Sequence, residues 1–68
     1  MTLEKALSAG APCYAKSNGR TFYIQGDGGL DIMRELPNGK TECEWYTRYE
    51  TAMKDYPLAT YNWHIMED

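Results

Sequence analysis

A chain of 68 residues is long enough for one small domain, and folding at this size buries only about 60% of the surface that the unfolded chain exposes. The formal charge of −3 at pH 7 and the lack of a basic cluster argue against direct binding to nucleic acid. No apolar run approaches the roughly 20 residues that cross a bilayer, and the opening stretch MTLEKALSAG lacks the basic and apolar segments of a signal peptide. We therefore expect one domain over residues 1–68 that stays in the cytoplasm of the cell that makes it.

The charge is unevenly distributed along the chain. Residues 1–34 carry four basic and three acidic side chains, whereas residues 35–68 carry three basic and seven acidic ones. The acidic second half favours a partner with a basic surface.

The chain begins with the pattern of a short helix. Thr2 has the side chain of an N-cap, and Leu3, Ala6 and Leu7 recur on one helical face. Gly10 is expected to end the helix because glycine readily adopts the left-handed conformation of a C-terminal cap.

Asn18-Gly19 predicts the first β-hairpin, because both central residues of a type I′ turn need a positive φ. The turn places the apolar residues of both strands on one face, called the inner face below, in the pairs Ala15–Phe22 and Cys13–Ile24. Tyr14 then opposes Tyr23 on the other side of the sheet, the outer face.

The stretch GDGG at 26–29 predicts the second reversal. If its loop runs from Gly26 to Leu30, Ile24 faces Ile32 across the new strand pair. A phosphate-binding loop would need a Lys-Ser/Thr pair or a third spaced glycine at the start of a helix, and a strand follows here instead. We therefore interpret GDGG as a hairpin tip.

The stretch PNGK at 37–40 predicts the third turn, again centred on Asn-Gly. This register places Ile32 opposite Trp45 on the inner face, with Arg34 opposite Cys43. Its outward-facing pairs are Met33–Glu44, Asp31–Tyr46 and Glu35–Glu42.

A second helix and a last strand complete the predicted fold. Thr47 and Glu50 have the spacing of a capping box, and an apolar stripe follows at Tyr49, Ala52, Met53 and Tyr56. The stretch ATYNWHIME alternates as a half-buried strand does, with Tyr61, Trp63 and Ile65 on its apolar side. The sequence thus predicts an α+β domain of order α-β-β-β-β-α-β, in which two short helices pack on one face of a four-to-five-stranded, mostly antiparallel sheet.

The side chains that could act in catalysis or bind a metal are not placed together as either kind of site requires. Cys13 and Cys43 are both predicted on the inner face and His64 on the opposite one, so a Cys-His nucleophilic pair is not expected. Zinc sites need close ligand pairs such as C-x₂-C, which the chain lacks. We expect reduced thiols, no metal, no cofactor and no enzymatic activity.

The outer face of the sheet is the predicted binding surface. Tyrosines mixed with acids and a methionine resemble the composition of protein–protein interfaces. Tyrosine is also a good strand former, so half-exposed tyrosines on an ordinary solvated sheet remain an alternative. The predicted partner-binding residues are Tyr14, Tyr23, Asp31, Met33, Glu42, Glu44 and Tyr46, with Asn62 and His64 as further candidates.

Both ends of the chain resemble small phage-encoded proteins. The opening MTLEKALSAGAPCYAKSNGRTFYI is similar to a phage layout in which a short helix with an E-x-A-L core precedes a hairpin. The ending PLATYNWHIM resembles the closing L-x-A-x-D-W-x-I run of the Thoeris anti-defence family, whose members sequester cyclic-nucleotide immune signals. Leu58, Trp63 and Ile65 match that run, whereas Thr60 replaces its alanine and Asn62 its aspartate. The resemblance implies a phage accessory protein that disarms a host system by stoichiometric binding.

Three functions follow as expectations. The first is inhibition of a host defence complex through protein–protein contact, as anti-CRISPR proteins do, with the outer face docked on a basic surface. The second is a sponge for a cyclic-nucleotide signal, which would require a homo-oligomer because a chain of this size leaves little room for a pocket. The third is a phage regulator that binds the host transcription machinery.

Overall fold

The computed structural model describes residues 1–10 and 12–66 and confirms the predicted α+β fold. The order of elements is the predicted one, with one 3₁₀ turn added at Leu58–Thr60 before the last strand. All strand pairs are antiparallel and the spatial order is β4-β3-β2-β1-β5. The elements are α1 (Leu3–Ser8), β1 (Cys13–Ser17), β2 (Arg20–Ile24), β3 (Leu30–Glu35), β4 (Thr41–Tyr46), α2 (Tyr49–Ala52) and β5 (His64–Ile65).

The first helix forms as its sequence predicts. The Thr2 side chain accepts a hydrogen bond from the backbone N–H of Lys5 at 3.3 Å, which caps α1. Leu3 and Ala6 are buried in the core, and Gly10, with φ +72°, ends the helix.

The β1–β2 hairpin has the predicted register. Asn18 and Gly19 have φ values of +51° and +76°, as a type I′ turn requires. The observed pairs include Cys13–Ile24, Tyr14–Tyr23 and Ala15–Phe22. Local turn chemistry was sufficient to fix this register.

The β2–β3 pairing differs from its prediction by two residues. Ile24 lies opposite Leu30, and Ile32 lies opposite Phe22. The loop is Gly26–Gly28, closed by a hydrogen bond of 2.8 Å from the Gln25 N–H to the Gly29 carbonyl. Because the side-chain period of a strand is two, this shift leaves every β3 residue on its predicted face.

The β3–β4 pairing differs from its prediction by one residue, and this difference matters more. The turn has three loop residues, 37–39, and is closed by a hydrogen bond of 2.8 Å from the Leu36 N–H to the Lys40 carbonyl. A two-residue turn on Asn-Gly would require Pro37 to donate a backbone hydrogen bond to Lys40, and proline has no N–H. The proline therefore moves the closing pair back to Leu36.

This shift exchanges the two faces of β4. Cys43 lies opposite Met33 and Trp45 opposite Asp31, so both side chains project from the outer face. The prediction that Trp45 is a core residue is wrong, since its side chain is 67% exposed. The residues predicted on the outer face that lie on the inner side instead are Glu42, Glu44 and Tyr46.

The second helix starts later than predicted. The N-cap of α2 is Arg48 rather than Thr47, and no side chain caps it. Glu50 does not reach back to a cap because its carboxylate binds the Arg48 guanidinium, with N···O distances of 3.0 and 2.9 Å. Ala52 is buried as expected, whereas Met53 is exposed, contrary to the prediction.

Trp63 anchors the C-terminal segment instead of extending a long strand. Its indole Nε1–H donates to the Leu58 carbonyl at 2.8 Å, and its backbone N–H donates to the Met1 carbonyl at 2.8 Å. These bonds hold the backbone off the sheet up to residue 63, so β5 contains only His64–Ile65. Glu67, the last residue of the predicted strand, lies outside the described residues. The buried core consists of Leu3, Ala6, Cys13, Ala15, Phe22, Ile24, Leu30, Ile32, Ala52, Leu58 and Trp63.

The inner side of β4 carries a network of tyrosines and carboxylates. The Tyr46 hydroxyl lies 3.0 Å from a Glu44 oxygen and 3.1 Å from an Asp55 oxygen, and the Tyr56 hydroxyl donates to Glu44 at 3.2 Å. Desolvation, followed by the hydrogen bonds to Glu44 and Asp55, raises the pKa of Tyr46 above its ordinary value of 10.0. Burial likewise raises the pKa of Tyr56 and, outside this network, that of Tyr49.

These raised pKa values predict alkaline destabilisation. A tyrosine whose pKa is higher in the folded chain keeps its proton when the unfolded chain would lose it, so the stabilisation is complete below about pH 10 and decreases above it. The melting temperature should begin to fall near pH 9, because burial also raises the pKa of the Cys13 thiol, and should fall more steeply above about pH 10, where the unfolded tyrosines ionise. Tyr46→Phe should make the alkaline fall shallower, as followed by circular dichroism; an unchanged slope would contradict the role given to Tyr46.

Candidate partner-binding face

One row of side chains crosses the outer face from edge to edge. Trp45 on β4 lies opposite Asp31, Asp31 opposite Tyr23, Tyr23 opposite Tyr14, and Tyr14 opposite His64 on β5. Directly paired residues of antiparallel strands point to the same side of the sheet. The register therefore gathers four rings from distant parts of the sequence into a line.

The rings of this row touch their neighbours where the strands bring them together. The Tyr14 and His64 rings stack with centroids 5.2 Å apart, and the Tyr14 and Tyr23 centroids are 6.3 Å apart. These contacts hold the β1–β2–β5 half of the row in place. Aromatic side chains have few rotatable bonds, so rings packed in this way have little conformational freedom to lose.

Trp45 stands apart from the other rings at the β4 end of the row. Both helices and the 3₁₀ turn contribute residues to the core on the inner side, so within residues 1–10 and 12–66 no element covers the outer face. An indole that is 67% exposed on a sheet face keeps a large apolar area in water. Tryptophan is one of the residues that most often dominate the binding energy of protein interfaces.

A second row lies beside the first and adds two sulfur-containing side chains. Cys43 lies opposite Met33, Met33 opposite Thr21, and Thr21 opposite Lys16. Met33 is half-buried and Cys43 is exposed. Methionine is common at adaptable binding surfaces because its unbranched chain fills irregular gaps.

The outer face is concave near the β1–β2 hairpin. A depression of about 550 Å³ lies there, open to solvent. Its lining includes the outer-face residues Lys16, Thr21, Tyr23, Met33 and Glu35. The face thus combines a projecting tryptophan at one side with a shallow concavity at the other.

The outer face is less acidic than the sequence predicts. Lys16, Asp31 and Glu35 share the outer face, and the Asp31 carboxylate accepts a hydrogen bond from the Gln25 amide at 3.1 Å. The transfer of two glutamates to the inner side removes the main acidic patch. The outer face therefore offers mainly apolar and aromatic contacts, with little net charge.

Four of the seven predicted binding residues lie where they were expected: Tyr14, Tyr23, Asp31 and Met33 are on the outer face. The prediction is wrong for the other three, because the register shift places them on the inner side: Glu42, Glu44 and Tyr46. The two residues predicted on the inner face that lie on the outer face instead are Trp45 and Cys43. Pro37 was the signal that could have placed them correctly.

The cysteines differ in environment. Burial raises the pKa of the Cys13 thiol and keeps it in its protonated form. Cys43 is exposed, so its predicted burial is wrong. Residues 1–10 and 12–66 contain no group of three His, Cys, Asp or Glu side chains that could hold a metal ion.

No protein-family model, curated protein or solved structure matches this chain. No helix in the described ranges has the length and apolar character needed to cross a membrane.

Proposed function

We propose that this chain is a non-enzymatic phage or mobile-element protein that inhibits a host defence complex in the cytoplasm by stoichiometric protein–protein binding. The observation that carries the proposal is the position of Trp45, an indole 67% exposed on a sheet face that no described element covers. It ends a row of three further rings, and Met33 flanks that row. This composition is typical of the centre of a protein interface.

The mode of action that fits this surface is occupancy. Because the face consists of rings on paired strands, it needs little rearrangement to bind, and the cost of ordering side chains is small. A domain of this size can block a site on a larger complex by covering it. The outer face requires no bound group or reactive side chain for that role.

The phage context is supported by the resemblance at both ends of the chain. In the structure, Leu58 and Trp63, two of the three residues that match the anti-defence run, are buried in the core, and Ile65 packs against it. The matching positions therefore serve the core of this domain. They offer no ligand-binding side chain.

Trp45→Ala tests the proposal by affinity capture from host lysate followed by mass spectrometry. The wild-type chain should retain a host complex, and Trp45→Ala should lose it, with an affinity loss of about 30-fold or more, typical of an interface tryptophan. Met53→Ala is the matched control, because Met53 is also an exposed apolar side chain but lies beyond α2, away from the outer face.

Equal recovery with wild type and Trp45→Ala would contradict a role for this face. Recovery of RNA polymerase in place of a defence complex would replace inhibition of defence with transcriptional regulation.

A further inference from the structure

The β4 strand is a long free edge of the sheet. It spans the six residues Thr41–Tyr46, and all of them except Tyr46 are exposed. The opposite edge, β5, has only two residues. Any backbone pairing with another chain is therefore favoured at β4.

The hairpin geometry shows which backbone groups of β4 are free. Leu36 donates to the Lys40 carbonyl, so this pair is a hydrogen-bonded one. In an antiparallel ladder, hydrogen-bonded and non-hydrogen-bonded pairs alternate. The residues whose N–H and C=O groups point away from β3 are consequently Thr41, Cys43 and Trp45.

This edge has few of the features that usually prevent pairing. The sequence TECEWY contains no proline or lysine, and the β3–β4 register runs without a bulge. No element lies beyond β4 in the part of the chain that the structure describes. The feature that does resist pairing is charge, because Glu42 and Glu44 project from the inner side of the strand.

The two glutamates disfavour a second copy of this chain as the pairing partner. A symmetric antiparallel pair centred on Cys43 places Glu42 opposite Glu44 of the second copy, and one centred on Glu44 places that residue opposite itself. A pair centred on Trp45 would need the chain to continue along the edge. Instead it turns away, since the Tyr49 N–H donates to the Gly28 carbonyl at 2.8 Å.

The same glutamates favour a basic strand. The Arg34 guanidinium binds Glu42, so Glu42 is partly neutralised within the sheet. Glu44 has no cationic partner in the described residues, and it shares the single Tyr46 hydroxyl proton with Asp55. The inner side of the edge therefore keeps negative charge that a neighbouring strand can balance.

We propose that β4 adds an extended segment of a basic protein as a sixth strand of the sheet. The segment carries lysine or arginine at alternate positions, which face Glu42 and Glu44. Its intervening side chains are apolar and lie against Cys43 and Trp45 on the outer face. This inference deepens the proposed function, on which it rests, by naming the chemistry of one partner segment; main-chain hydrogen bonds supply affinity and the alternation supplies specificity.

Hydrogen exchange read by NMR tests the strand addition on the intact chain. The probe is a synthetic peptide of about nine residues that alternates lysine with valine. The amides of Thr41, Cys43 and Trp45 should exchange rapidly in the free protein and become protected by about tenfold or more when the peptide is added. The amides of Glu42 and Glu44, which already bond to β3, should change little.

Peptide controls separate strand pairing from simple charge attraction. A peptide alternating glutamate with valine, and a lysine–valine peptide methylated on the backbone nitrogens that would face β4, should give no protection. Equal protection by either peptide would overturn the proposal. So would the absence of the alternate pattern with the lysine–valine peptide.

Variants of the protein complete the test. Cys43→Pro removes an outward N–H without removing a bond to β3, and should abolish binding, whereas Cys43→Ala should retain it. Glu42→Lys should weaken binding about tenfold, and Glu4→Lys, the same charge change on exposed α1, should not. Equal weakening by Glu4→Lys, or a dimer in ultracentrifugation that Cys43→Pro dissolves, would overturn the basic-strand assignment.

The two proposals fail in distinguishable ways. Tyr14→Ala alters the outer face far from β4, so it should reduce capture of the host complex without changing the protection of the β4 amides. Loss of the alternate protection pattern in a chain that still captures its complex through Trp45 would reject the strand addition alone.

Discussion

Replacing Trp63 with alanine is expected to unfold this protein at room temperature. Trp63 is the largest fully buried side chain, and its loss should cost about 3–5 kcal/mol for the packing alone. The Leu58 carbonyl, which accepts from the indole at 2.8 Å, would also lose its donor. A core in a chain of this length supplies about 3–5 kcal/mol in total, so the substitution removes about the whole stability.

Urea unfolding followed by circular dichroism measures this effect, with Trp45→Ala as the matched control. Trp45→Ala removes the same side chain from an exposed position and should change the free energy of unfolding by less than about 0.5 kcal/mol. A folded Trp63→Ala protein would show that the core does not depend on this residue. A large loss in Trp45→Ala would show that Trp45 is buried after all.

Met33→Cys is expected to form a disulfide with Cys43 under mild oxidation. The two residues lie opposite each other in a non-hydrogen-bonded pair, where Cα atoms are about 4.5 Å apart, within the range that a disulfide accepts. Closing this short loop should stabilise the oxidised protein by about 2–4 kcal/mol relative to its reduced form. Loss of two hydrogens in mass spectrometry and a higher melting temperature report the bond.

Arg34→Cys is the control that separates the two registers of β4. In the structure Arg34 lies opposite Glu42, so a cysteine there projects from the inner side, away from Cys43, and should remain a thiol. A disulfide in Arg34→Cys but not in Met33→Cys would restore the register predicted from the Asn-Gly turn. It would also return Trp45 to the inner face and remove the main support for the proposed function.

Much of the fold could be predicted because its signals are local. The Thr2 cap and the Asn18-Gly19 turn each depend on the conformations of a few adjacent residues, and the structure confirms both. The observed β2–β3 pairing differs from the predicted one by two residues. A shift by an even number does not exchange the two sides of a strand, so each β3 residue lies on its predicted face. The sequence patterns therefore gave the correct face for β1, β2, β3 and β5.

The prediction of which β4 residues face the core is wrong because it depends on a single loop residue. Asn-Gly predicts the same two-residue turn at 18–19 and at 38–39 only if the flanking residues can form the hydrogen bonds that close it. Pro37 cannot donate the closing bond, and a third loop residue reverses every side chain of β4. Alternation offers no correction here, because both sides of TECEWY are exposed in the structure.

The sequence by itself determined the α+β class, the order of the elements, the first helix and the first hairpin, since each follows from short-range sterics and hydrogen bonding. Alternation also placed Trp63 on the buried side of the chain, which the structure confirms, whereas only the tertiary structure decided that Trp45 is a surface residue. The two tryptophans have similar polar and apolar neighbours along the chain. They differ in what the rest of the fold brings to them: the Leu58 carbonyl and the Met1 backbone enclose Trp63, whereas the β3–β4 register turns Trp45 away from the core.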